Sequence, residues 1–274
     1  MSTPPLSRIL ATLALLALTG CAGLQPPTSA EALATGRPGY VRGYLAPKDI
    51  PNGLAFLPPP PTAGSEAARS DEEAYRRTRA LRDTPRWALA VKDADLSFPH
   101  AASAFACALG LAVSEETTPH LNAVLSRLRA DTALAGRKAK EAHQRRRPYI
   151  AHGDTSCTPQ EKHKDDSFPS NHAAIGWAWA LALAEIAPYR ADALFARGMA
   201  FGDSRIICGV HWQSDVEAGR LIASATISRL HANPEFRAQM ALAAHEIEAA
   251  QRAGATPPAG CQTGNGALNP PPAF

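Results

Sequence analysis

The sequence predicts an all-α protein: a single multi-helix domain with a helical-bundle core and irregular Pro-rich arms at both ends. Three observations lead there. Long Ala/Leu-rich runs, with 45% hydrophobic but only 6% aromatic residues, favour helix over sheet. Helix-start signals recur along the middle of the chain, and no apolar/polar alternation of useful length marks a strand. The 274 residues suffice for one sizeable core.

Residues 1–21 read as an export signal: Arg8 is a positive flank, residues 9–18 are apolar, and Leu18-Thr19-Gly20-Cys21 supplies small residues before a cysteine. The apolar run is too short to span a membrane, which takes about 20 residues. Its ending resembles a bacterial lipoprotein signal, which makes Cys21 a lipidated new first residue; an ordinary cleaved signal is the alternative. Residues 22–70 are rich in Pro and Gly, including Pro58-Pro59-Pro60-Pro61, and read as a tether and N-terminal arm.

Residues 71–253 read as helical. Ser70-Asp71-Glu72-Glu73 looks like a helix start with acids in its first turn. Thr84-Pro85-Arg86-Trp87 starts another, and the small or apolar residues 100–112 predict a buried helix. Thr118-Pro119 opens a long amphipathic helix that reaches about Arg146, with Gly136 as a candidate break. Residues 170–185, 191–204, 211–231 and 234–253 give four more helices, and residues 254–274 form a Pro/Gly-rich tail that carries Cys261.

A formal charge of +3 without a basic run interleaved with aromatics gives no ground for a nucleic-acid partner. Nine histidines are present, yet no His-x3-His, His-Glu-x2-His or Cys-x2-Cys pattern occurs, so catalysis without metal is expected. His143, His152 and His163 read as surface residues, and Glu161 with Asp165-Asp166 as a charged loop.

Three segments carry chemistry. Lys140 and Arg147-Pro148 are seven residues apart, which returns to nearly one helix face, with Pro148 ending the helix behind Arg147. Such a pair suits phosphate, since Arg grips two oxygens and Lys acts as a point charge; Arg145 and Arg146 read as a solvated basic helix end. Phe168-Pro169-Ser170-Asn171-His172 precedes an apolar run, so Ser170 is an N-cap and the first helical N–H groups are available to an anion. Ser204-Arg205 through His211 to Asp215 is the third. A helix starting near His211 puts His211 and Asp215 one turn apart, where a carboxylate can hold one imidazole nitrogen and leave the other as base or nucleophile.

The order Lys-x6-Arg-Pro, Pro-Ser-x-His, Ser-Arg-x5-His-x3-Asp resembles the signature of the phosphatidate-phosphatase and vanadium-haloperoxidase superfamily. It is closer still to the class A bacterial non-specific acid phosphatases. Similarity is dense from about Lys140 to Ala223 and looser from about Tyr40. The resemblance implies that His211 attacks phosphorus to form a phosphohistidine, that Asp215 orients it, and that His172 protonates the leaving alcohol and then activates water. It also implies that Lys140, Arg147, Ser170, Arg205 and the N–H of Asn171 hold the phosphate oxygens. Asn171 stands where the family usually has Gly.

Small phosphomonoesters are the substrates so implied, with possible transfer of phosphate to other alcohols, no cofactor, and vanadate as a phosphate-mimicking inhibitor. The location implied is the periplasm of a Gram-negative bacterium, with the membrane reached only through the lipid at Cys21; a homo-oligomer stays open. A vanadate-dependent haloperoxidase and a non-catalytic phosphate-binding lipoprotein are the alternatives. With both arginines on one phosphate, Cys157 and Cys208 come near each other. Of the three pairings open to four cysteines, this selects Cys157–Cys208 and Cys107–Cys261.

Overall fold

A computed structural model describes residues 24–161 and 164–261. The expected signal at 1–21 with Cys21, His163, and the tail beyond residue 261 lie outside the described residues. The chain forms helices α1 (Glu66–Arg79), α2 (Pro85–Lys92), α3 (His100–Ser103), α4 (Ala106–Leu109), α5 (Pro119–Ala135), α6 (Arg137–His143), α7 (Pro148–Ala151), α8 (Asn171–Ile186), α9 (Ala191–Ile207), α10 (Gln213–Leu230) and α11 (Pro234–Arg252). Among the described residues the β pairing consists of an isolated antiparallel bridge between Ala34 and Val41.

Local chemistry sets the helix ends. Ser65 caps α1 by accepting from Ala68 N–H, Thr84 caps α2 through Trp87 N–H, and Asn233 caps α11 through Phe236 N–H. The first helix therefore starts at Glu66, a turn before the expected Ser70-Asp71, because Ser65 is the residue placed to cap it. The expected buried helix at 100–112 is two short ones, the second ended by left-handed Gly110.

The core is built on α8, which is apolar around most of its circumference and buries eleven residues between α9, α10 and α5. Trp179 is its anchor: its indole donates to the Leu125 carbonyl at 2.8 Å, and its ring meets Phe105 and Phe201 edge-on. Gly176 lets α9 approach, since a Cβ there would enter the Phe201 ring. From Leu24 on, the N-terminal arm lies against the helices. Leu33, Tyr44 and Leu57 are buried, and the buried Asp131 carboxylate accepts the N–H groups of Tyr44 and Leu45 at 2.8 and 3.2 Å. Burial raises Asp131 to about 6.

Two disulfides tie α4 to the residues after α11 (Cys107–Cys261) and the loop after α7 to the end of α9 (Cys157–Cys208), with Cα atoms 5.2 and 4.6 Å apart. No helix among the described residues is long and apolar enough to cross a membrane.

Candidate active site

The three chemistry-bearing segments meet at the N-terminal ends of α8 and α10. His211 is not on a helix. It follows the end of α9 and precedes Trp212, the N-cap of α10, so Asp215 is the third residue of that helix. Asp215 reaches back: Oδ2 accepts from Trp212 N–H at 2.8 Å and from Ser167 Oγ at 2.5 Å, and it lies 3.5 Å from His211 Nδ1. The pair meets through a helix-start turn rather than across a helix face. Left-handed Gly209, φ 76°, makes the turn before His211, and the Arg79 guanidinium secures it by donating to the carbonyls of Ile206 and Ile207 at 3.0 and 2.6 Å.

Lys140 and Arg147 do not share a helix. The long helix expected from Thr118 breaks at Gly136, and α6 ends at His143, where Gln144 takes a left-handed φ of 42°. Arg147 is extended and stands just before α7, at its N-cap position, without a side-chain cap bond. Tertiary contacts bring the pair together: Lys140 Nζ donates to the Asp166 carbonyl at 2.5 Å and Arg147 Nη2 to the Asp166 carboxylate at 2.7 Å. Arg147 Nη1 donates to the Val210 carbonyl at 2.8 Å and lies 3.1 Å from His211 Nε2. With Nδ1 turned to Asp215, Nε2 carries the lone pair and points into the cations. Burial and Arg147 push Lys140 down to about 8.

Arg205 is 1% exposed. Its Nε and Nη1 have no hydrogen-bond partner, and Nη2 has Glu161 at 4.0 Å. Burial lowers it to about 10 against the opposing pull of Glu161. These two nitrogens are donors that no protein group among the described residues uses, and they can serve a tetrahedral oxyanion.

Ser170 caps α8, its hydroxyl accepting from Ala173 N–H at 3.3 Å while its own N–H donates to the Asp215 carbonyl at 2.9 Å. Asn171 opens the helix. A Cβ built on Gly136 would lie 3.1 Å from its amide oxygen, so the Asn171 side chain sits against the α5–α6 break. His172 Nε2 is 2.9 Å from the Ala94 carbonyl. A carbonyl only accepts, so Nε2 holds a proton and Nδ1 is the exchanging nitrogen. Burial first, then Arg205, drives His172 well below the usual imidazole value. Behind Ala94, buried Asp93 pairs with Arg197 and accepts from Ser204 Oγ at 2.6 Å, which fixes the carbonyl that fixes His172.

Arg145 is no solvated helix end: it pairs with Asp215 at 2.6 Å and Asp71 at 2.7 Å. Arg146 is exposed as expected. Asp166 and Glu161 lie in a charged loop as expected, and that loop borders the cations. His152 is at the surface as expected, its ring stacked on Tyr75 at 4.6 Å and lying 3.0 Å from Glu72, and the half-buried His143 lies edge-on to Phe168. Sequence reasoning missed Asp71, Arg145 and Ser167. The one available signal was Asp71 in register with Ala74, Tyr75 and Thr78 on the buried face of α1.

Among the described residues no cluster of three or more His, Cys, Asp or Glu could hold a metal. A cavity of about 950 Å³ lies elsewhere, under the N-terminal arm beside Tyr40, Phe98 and Arg129, and contains none of these groups.

Residues 120–237 match the PAP2 superfamily. The chain is 42% identical over 208 residues to a non-specific acid phosphatase of Providencia stuartii, which covers 74% of this chain and 84% of that protein. It is 41% identical over 208 residues to an acid phosphatase of Zymomonas mobilis, covering 74% and 78% respectively. To a non-specific acid phosphatase of Salmonella typhimurium it is 36% identical over 211 residues, covering 76% and 84%. With its three segments closed around one cluster of cations and imidazoles, this chain belongs to the PAP2 superfamily.

Proposed function

We propose that the protein is an exported, metal-independent acid phosphatase that hydrolyses phosphate monoesters through a phosphohistidine on His211. The observation that carries this is the buried Arg205 guanidinium with two unpaired nitrogens, in a cation cluster that also faces His211 Nε2. The names of the relatives agree with it.

The phosphoryl group binds among Lys140, Arg147 and Arg205, with the Ser170 hydroxyl and the N–H of Asn171 completing the cradle at the start of α8. Three fixed cations supply the charge that a metal supplies elsewhere, and phosphoryl transfer asks chiefly for such positioning and charge stabilisation. His211 Nε2 attacks phosphorus as the ester P–O bond breaks, and Asp215 receives the Nδ1 proton as a hydrogen bond while positive charge grows on the ring. The leaving oxygen takes a proton from His172 Nδ1. Neutral His172 then takes a proton from water, whose oxygen attacks phosphorus and breaks the P–N bond. Arg205 beside the ring disfavours the charged form of His172, and the negative charge of a bound phosphate opposes that effect.

The two disulfides suit an oxidising compartment, in keeping with an export signal at 1–21, lipidation at Cys21 and a periplasmic location. The test is release of p-nitrophenol from its phosphate ester by wild type and His211→Ala, across about pH 4 to 8. Wild type turns over and the variant does not. Absence of turnover by wild type supports a phosphate-binding protein instead, and vanadate competes with substrate if the cradle is the one described.

A further inference from the structure

The carboxylate behind His211 is shared more ways than orienting an imidazole requires. Asp215 is fully buried, and its shortest charged contact is not His211, 3.5 Å away, but Arg145 Nη1 at 2.6 Å. Arg145 is in turn held by buried Asp71, whose carboxylate accepts Arg145 Nη2 at 2.7 Å and the N–H and hydroxyl of Ser214 at 2.8 and 2.6 Å. Asp71 comes from α1, Arg145 from the segment after α6, and Asp215 from α10, so three distant parts of the chain close this network. With Arg145 present, the three groups carry one net negative charge; without it, two carboxylates stand behind the imidazole.

A carboxylate with undivided charge favours the imidazolium, and an imidazolium cannot attack phosphorus. We propose that Arg145, anchored by Asp71, is a positioning residue that draws off part of the Asp215 charge and so keeps His211 nucleophilic in mild acid. This rests on the reading of His211 as nucleophile.

The other charged groups around His211 act from different elements. Arg147 is 3.1 Å from Nε2, while Lys140 of α6, Arg205 of α9 and His172 of α8 lie across the cradle. Asp166 and Glu161 sit on the outer side of Arg147 and Arg205. Substitution at Arg145 or Asp71 leaves all of these in place, and the second ionisation of the substrate, near pKa 6, is common to every variant. Differences between variants therefore isolate the charge behind His211.

The experiment is the pH dependence of kcat and kcat/KM for wild type, Arg145→Gln, Arg145→Lys and Asp71→Asn, with His211→Ala as control and p-nitrophenyl phosphate as substrate. Arg145→Gln is expected to move the acid limb upward by roughly one to two pH units, the scale of losing one opposite charge at contact distance. Arg145→Lys restores most of that shift. Asp71→Asn moves the limb the other way, because Arg145 then serves Asp215 alone. A merely structural network predicts lower kcat at every pH with the limb unmoved, and that result overturns the proposal. If Arg145→Gln does not fold, an unmoved or upward-shifted limb in Asp71→Asn overturns it equally. Turnover by His211→Ala would instead remove the nucleophile assignment, and this proposal with it.

Discussion

His211 Nδ1 and Asp215 Oδ2 lie 3.5 Å apart, both side chains buried, with Arg147 on the far nitrogen of the ring. One imidazole nitrogen thus faces Asp215 and the Ser167 hydroxyl, 3.4 Å away, and the other faces the cation cluster. Asp215→Asn keeps the size of the group but loses the charge that stabilises the ring as it becomes positive. A loss in kcat of about 10²–10⁴ is expected, with KM moving much less. Steady-state kinetics on the folded variant checks this.

His172→Ala separates leaving groups. Nitrophenolate departs without a proton, whereas an alkoxide needs one, so the variant should lose about 10²–10⁴ in rate on an alkyl phosphate and much less in the first turnover of p-nitrophenyl phosphate. A burst of nitrophenol followed by slow turnover is expected in stopped flow, because dephosphorylation has lost its base. Equal losses on both substrates in the first turnover would contradict the acid role.

Asp166 occupies Arg147 at 2.7 Å with a side chain 41% exposed. Solvent limits such a contact to about 1 kcal/mol, so Asp166→Asn should tighten inorganic phosphate by roughly fivefold, read as its inhibition constant. Lys140 sets the opposite limit. It is charged below about 8 and neutral above, so phosphate affinity falls as pH rises through that value. Lys140→Met should flatten that dependence.

The disulfides divide labour. Cys157–Cys208 closes a 51-residue separation beside Arg205 and His211, and its loss should cost about 2–4 kcal/mol and lower kcat as well. Cys107–Cys261 is remote from the site, and Cys107→Ser with Cys261→Ser should lower Tm while leaving kcat unchanged. Thermal melts beside kinetics on each double variant test both statements.

The three motifs were legible in sequence because each is contiguous, and α8 through α11 were legible from caps and apolar runs. The geometry between motifs was not. Lys140 and Arg147 were expected to converge through helical spacing, yet Gly136 and Gln144 interrupt the helix and Asp166 brings the two cations together. Arg145 and Asp71 are 74 residues apart, a pairing that no local periodicity encodes. The environment that pushes His172 down, burial beside Arg205, is a property of the closed fold.

The account turns on which atom carries the phosphoryl group during turnover. Rapid quench of the His172→Ala variant with a 32P-labelled phosphate ester, followed by peptide mapping under alkaline conditions, measures this directly. The account predicts acid-labile, base-stable label on the peptide containing His211, and none in His211→Ala. Label on another residue, or continued turnover by His211→Ala, would contradict it.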